Sequence, residues 1–453
     1  MQMIRFSSPI LVLLVSIMIS CKEERKEMFG KSKLQKTLES WSKSKGDLRE
    51  ALRSLDASSI KKKKDALAVI NALKTISFKS EQKEFQFSSP VHTLVAFFQQ
   101  VESQEAFTAF KEDGLPELRR LLKDGLKFPE YREDELMFIM KILAMYHQEQ
   151  DVNLIIDVAL SGFNSDGYMW SVIFGVFDKD HEHWKALIDG FKDKLPNGFV
   201  CIAYLDFVNG HAIEGRITKH PFDSDKGMEK LKFWLSDKNE ENYSYAHSST
   251  VALPFLNEVN RTILWKLARQ HPDIGVRIES AWATAKVGNL DGIKELKEWA
   301  LDVNYSTIAI QYLKELGYET EIPAEALKDD FKAMAEMVNW LSHPNEFGRP
   351  PSKIELYDTR TLFWPPTNDQ RTVWLFKYTY TPQEADGELD VGIAMTGSVT
   401  FALFGEATDK LSPEEAYGLH CAWELEMNED SRAPKERSPQ SGLQILKKYN
   451  SNL

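Results

Sequence analysis

The spacing of apolar residues changes once along this chain, and that change limits the folds open to it. From about Asp47 to Leu341 the apolar positions recur every three or four residues, most clearly over 64–76, 91–101, 134–147 and 260–270. Such a period places one stripe of a helix in a core. After Ser342 comes a loop rich in helix breakers, His343-Pro-Asn-Glu-Phe-Gly-Arg-Pro-Pro351. Beyond it the apolar residues alternate with a period of two, as strands with a buried face require.

Two strands are expected over 353–364 and 372–380, joined at Pro365-Pro366. In the second, Trp374, Phe376, Tyr378 and Tyr380 share one face, and Val373 and Leu375 the other. A third alternating run puts Val391, Ile393, Met395, Val399, Phe401 and Leu403 on one side. Gly392, Ala394, Thr396, Ser398, Thr400 and Ala402 lie on the other. The large face belongs in a core, and the small face admits close approach of another layer. Gly397 bends or splits this run. Ser412-Pro413-Glu414-Glu415 then opens a helix with a capping box. Three antiparallel strands and a helix make a small α+β domain.

The start of the chain reads as an address. Arg5 precedes an apolar run from Pro9 to Ile19, followed by Ser20-Cys21 and the charged Lys22-Glu23-Glu24-Arg25-Lys26. A basic start, a short apolar stretch and a small residue before a cut form a secretory signal, and the run is shorter than the roughly 20 residues a bilayer span needs. Met18-Ile19-Ser20-Cys21 resembles the lipobox of bacterial lipoproteins. That resemblance implies acylation of Cys21, cleavage just before it, and a lipid anchor in a membrane of the cell envelope, on the periplasmic or outer-membrane side.

Charge is unevenly placed. The chain carries −12 overall; residues 22–64 hold fourteen Lys/Arg against seven Asp/Glu, and residues 65–453 carry −20. The basic segment can lie against anionic headgroups, although a solvated helix of mixed charge is the simpler reading. The acidity of the rest argues against a nucleic-acid partner. Only Cys201 and Cys421 follow Cys21. An exported protein can bridge them, but both neighbourhoods are apolar and isolated core thiols are the preferred reading.

An internal echo links Gly227-Met-Glu-Lys-Leu-Lys-Phe-Trp-Leu-Ser-Asp237 to Gly292-Ile-Lys-Glu-Leu-Lys-Glu-Trp-Ala-Leu-Asp302, which suggests stacked helical hairpins. The clearest unit is Pro272-Asp-Ile-Gly-Val-Arg-Ile-Glu-Ser-Ala-Trp-Ala-Thr-Ala-Lys-Val-Gly288, continuing to Asp302. It resembles a HEAT repeat, and 308–317 resembles the opening of another. The resemblance implies an irregular solenoid that binds other macromolecules along one face. The C-terminal segment is similar to those of HEAT-repeat proteins of environmental bacteria.

Candidate chemistry is sparse. His181 and His183 would share a face on a strand and serve a metal, but on a helix they stand about 200° apart. Asp178-Lys-Asp180-His181-Glu182-His183 looks like a helix start, so a structural role is preferred. Asp223 and Asp225 suggest a calcium loop, but Met228 and Trp234 occupy the positions where an EF-hand needs Gly and an acid. Asn242, Tyr243, Tyr245 and His247 gather residue types that polysaccharide lyases with helical toroids use to remove a proton beside a carboxylate; an ordinary polar loop is the simpler reading. His420 and Cys421 are adjacent, so on a helix they point apart and make a poor dyad. Nucleophile-elbow, phosphate-loop and zincin motifs are absent, and no cofactor is expected.

The sequence thus predicts a mainly α protein: signal 1–20, polar tether 21–47, HEAT-like helical repeats 48–342, and an α+β domain 343–453 with an antiparallel sheet. The expected role is a membrane-anchored scaffold with a protein partner. The alternative is a lyase-like glycan enzyme or carbohydrate-binding protein, which predicts a deep cleft where the helices meet the β part.

Overall fold

Helices with one apolar stripe can bury it only against each other, and the computed structural model shows them doing so. It describes residues 31–44, 46–53, 60–78, 89–164, 166–382, 390–451 and 453. The signal and Cys21 lie outside the described residues. The chain divides into two compact units at Lys230/Leu231.

The first unit contains α1 (Lys33–Ser44), α2 (Leu48–Arg53), α3 (Lys63–Lys74), α4 (Pro90–Ala96), α5 (Gln104–Ala109), α6 (Leu115–Gly125), α7 (Glu133–Met145), α8 (Glu149–Ser161), α9 (Met169–Gly175), α10 (Trp184–Gly190) and α11 (Gly198–Ile213). The expected tether is corrected here. Residues 33–44 form α1, because Leu34, Leu38 and Trp41 recur at helical spacing and bury themselves. Ser32 Oγ donates to Asp65, and Gln35 Nε2 donates to the Lys64 carbonyl at 2.9 Å, which seats α1 beside α3. Arg119 of α6 grips the buried Asp151 of α8 with two hydrogen bonds, so that carboxylate is paired where water cannot reach it.

The division at Lys230 falls within α12 (Asp225–Ser236). The second unit continues with α13 (Tyr243–Val251), α14 (Glu258–Arg269), α15 (Ile274–Lys286), α16 (Leu290–Ala300), α17 (Ser306–Glu315) and α18 (Asp329–Leu341). They stack as hairpins: α13 packs on α15, α15 on α16, and α16 on α17. The Asp that opens the repeat motif, Asp273, is the N-cap of α15 and accepts from the Val276 N–H at 2.8 Å. Ile278, Ala281, Ala285, Ile293, Leu296, Ala300, Ala309 and Leu313 form the core of this stack.

A four-stranded antiparallel meander follows: β1 (Lys353–Trp364), β2 (Asp369–Tyr380), β3 (Asp390–Thr396) and β4 (Phe401–Phe404). The third alternating run is split in two at Gly397, which has φ +94 and where a Cβ would sit 2.2 Å from the Thr372 carbonyl. Beyond β4 come α19 (Glu406–Asp409), α20 (Pro413–Met427) and α21 (Pro439–Lys447). The two faces of the sheet behave as the alternation predicts. Val373, Leu375, Ile393 and Met395 pack on Tyr417, Cys421 and Leu425 of α20 and on α21. The small Ala394 and Ala402, with Phe376, Tyr378 and Tyr380, take Ala333, Met337 and Leu341 of α18. The change of texture at Ser342 is therefore a change of secondary structure inside one unit, since α18 shares a core with the sheet. Among the described residues no helix is long and apolar enough to cross a membrane.

Candidate functional site: a polar ladder across three helices

Successive hairpins bring α13, α15 and α17 close together, and residues three or four apart on each helix share a side. His247 comes from α13; Glu279, Trp282 and Lys286 from α15; Tyr312 and Glu315 from α17. They join in a ladder. His247 Nδ1 lies 2.7 Å from Glu279 Oε2, and its Nε2 lies 3.0 Å from Asp273 Oδ1. The other oxygen of Glu279 accepts from the Tyr312 hydroxyl at 3.1 Å. One turn further on, Trp282 Nε1 donates to Glu315 at 3.3 Å, and Lys286 reaches the same carboxylate at 3.6 Å. A Cβ at Gly275 would stand 2.6 Å from the His247 ring, so glycine leaves room for the imidazole between its two carboxylates.

The electrostatics follow from these contacts. Burial pulls the His247 pKa down, but its hydrogen bonds to Asp273 and Glu279 outweigh it and hold the group at about 9. The ring is thus an imidazolium at neutral pH, donating from both nitrogens. Asp273 is held below the usual carboxylate range, first by its bond to His247. Burial, reinforced by the charge of Glu279, pushes the Tyr312 phenol up, so it stays protonated. An imidazolium without a lone pair and a locked phenol cannot take a proton from a substrate in this arrangement. The set can present fixed charge and aromatic surface: Trp282 and Tyr312 lie 5.8 Å apart, with Lys286 5.4 Å above the Trp282 ring.

Two concavities flank the ladder helices. One, of about 430 Å³, is lined by Arg269, Arg277, Glu295, Glu298, Trp299 and Asp302. Arg269 pairs with Glu295 at 3.2 Å, and Arg277 stacks over Trp299. The other, of about 450 Å³, runs between α17 and α18, with Ile310, Leu327 and Ala335 on its walls and Lys314 and Lys332 among its polar groups.

The other sequence candidates do not converge. Asn242 donates to Asp237 at 2.8 Å, Tyr243 meets His271 edge-on, and Tyr245 lies against Trp234, so His247 is the only one of the four on the ladder. Where α18 meets the sheet, Ala333, Met337 and Leu341 pack against Phe376, Tyr378 and Tyr380.

The residues weighed as metal candidates lie in the first unit. His181 is buried, with Nε2 3.0 Å from the Ala144 carbonyl and Nδ1 accepting from the His183 N–H at 3.1 Å, so both ring nitrogens are engaged. Its burial also holds the pKa down. Among the described residues no group of three or more His, Cys, Asp or Glu is placed to hold a metal ion. Cys201 and Cys421 are buried free thiols, each pushed up by burial to about 12. His220 is buried against Asn209, and burial pulls it down to about 4.

Sequence reasoning did not find Glu279, Trp282, Tyr312 or Glu315 as a set. The signal was present only as helix-period spacing inside a region already resembling a repeat. No family model, no curated protein and no solved structure matches this chain.

Proposed function

We propose that this is a lipid-anchored envelope protein whose stacked hairpins hold a protein partner without turnover. The reading starts from Cys21 in its lipobox-like setting, which supplies a membrane anchor. What carries it is the ladder on α13, α15 and α17. Its ionisable groups are spent on each other, which suits a rigid recognition surface and leaves no free base for elimination chemistry. The glycan-active alternative needs such a base, and His247 does not supply one.

The partner is tested by placing a photo-crosslinking side chain at Glu315 or Thr307, both exposed, in the membrane-anchored protein, with a third site at the exposed Tyr449 as control. The expected result is one defined adduct from the first two positions and none from the third. Adducts of the same pattern at all three sites, or none at all, would remove the scaffold reading. Unsaturated products released from an acidic polysaccharide would replace it with the enzymatic one.

A further inference from the structure

We infer that α1 and α3 form a basic face that docks on an anionic phospholipid bilayer and orients the anchored protein. The inference rests on the lipid-anchor reading above and adds a second contact to it.

The first observation concerns where the positive charge sits. Residues 22–30 are neutral overall, with three Lys/Arg against three Asp/Glu. The whole excess falls on 31–64, which hold eleven Lys/Arg and four Asp/Glu, while 65–453 carry −20. The second is that this charge is mounted on folded helices. On α1, Leu34, Leu38 and Trp41 are buried, and Lys33, Lys36 and Lys43 are exposed. At about 100° per residue those lysines fall within about 80° of one another, about 150° from the buried stripe. Lys63, at the start of α3, is exposed too. Among the described residues Lys36, Lys43 and Lys63 make no ion pair. The α1–α3 groove, about 510 Å³, has Lys43 and Lys64 among its lining residues, with Leu38 and Leu67 between.

The third observation is reach. Lys33 lies twelve positions after Cys21, so even a fully extended link holds the start of α1 within roughly 40 Å of the anchored cysteine. Tethered that close, weak attraction acts at high effective concentration. An acidic body is repelled by anionic headgroups, whereas this face is attracted. The first unit is thereby held with α1 and α3 toward the lipid.

The test uses the polypeptide from residue 21 onward carrying Cys21→Ser, so that no acyl chain contributes. It is sedimented with vesicles of phosphatidylethanolamine and phosphatidylglycerol at about 7:3, and with phosphatidylcholine alone. Binding to the anionic vesicles, absent from the neutral ones and fading as salt shortens the screening length, is expected. Lys36→Glu, Lys43→Glu and Lys63→Glu together should weaken it at least about tenfold, with an unchanged circular dichroism melt. Lys36→Gln with Lys43→Gln, a milder change, should give an intermediate loss. The inference is overturned by no preference for anionic vesicles, by indifference to both sets of substitutions, or by equal binding to soluble heparin. Acylation is read separately, from the mass of the N-terminal peptide of the native protein, so failure of the anchor and failure of the basic face give different results.

Discussion

His247 and His420 sit in the same compact unit and meet opposite fates. His247 lies at the half-buried surface of the hairpin stack, and both its nitrogens face carboxylates. His420 is fully buried on α20 against Phe401, and among the described residues neither of its nitrogens has a partner. Bonds to charged partners hold the first at about 9 despite burial; burial alone pulls the second down to about 3. The contrast shows that depth does not set ionisation by itself. What counts is whether the site supplies charge to replace lost water. It also separates two regions by use of polar groups. The ladder closes its hydrogen bonds across three helices, while the layer of α20 tolerates a polar ring held only by packing.

The largest way to exploit this contrast is acid. A His held neutral contributes stability above its unfolded pKa near 6.5, and that contribution fades as pH falls toward the folded value of about 3. The total is on the order of 5 kcal/mol. Urea melts from pH 7 to 4 should therefore show a falling midpoint. His420→Leu should flatten that slope and raise stability at pH 7 by about 1 kcal/mol, since two buried unpaired nitrogens disappear. Identical slopes for the two proteins would show that His420 does not set the acid response.

The ladder should respond in the other direction. The His247 contribution is complete below pH 6.5 and is lost as pH rises through about 9. His247→Ala leaves Asp273 and Glu279 near each other without a cation between them and should cost about 1–2 kcal/mol at pH 7. The wild-type alkaline loss should be smaller, under about 1 kcal/mol, because 38% of the His247 side chain is exposed and water screens the pairs. Stability curves between pH 7 and 10 check both. An alkaline slope that survives in His247→Ala would show that another group is responsible.

Tyr312→Phe is a finer cut into the same network. It removes one hydroxyl from Glu279, which keeps its bond to His247. The expected loss is about 0.5–1 kcal/mol by chemical denaturation. Combined with His247→Ala it should be non-additive by about 0.5 kcal/mol or more, because both act on one carboxylate. Strict additivity would mean that the ladder is a set of separate contacts.

The fold was more legible than the site, for a reason these residues make plain. The faces of β3 and β4 follow from alternation within a few residues. The Ser412–Glu415 capping box is as local, and it is present with both of its bonds. Ser89 shows where local reading fails: it precedes Pro90 as a cap should, yet its hydroxyl donates to the buried Glu135, 46 residues on. The partners of His247 are similarly remote, with Glu279 lying 32 residues away. Helix periodicity says that Glu279, Trp282 and Lys286 share a side, but only the stacking of α15 between α13 and α17 says what they meet. The helix α1 was legible and passed over. Leu34, Leu38 and Trp41 carry the period, but so many lysines and serines surround them that the segment reads as tether.

The smallest expected effect calibrates the rest. Lys297 pairs with Glu321 at 2.8 Å, a shorter contact than that between Lys286 and Glu315 on the ladder. Distance alone would rank it higher. Yet the two side chains are 40% and 48% exposed, water competes for both, and among the described residues neither belongs to a longer chain of side-chain bonds. Lys297→Ala should therefore change stability by no more than about 0.5 kcal/mol, and that small change should vanish in high salt. His247→Ala should keep most of its cost under the same salt, since the His247–Glu279 contact is partly withdrawn from solvent, with Glu279 only 14% exposed. If added salt erased both losses equally, the ladder would be an ordinary surface ion pair, and the distinction between it and its surroundings would collapse.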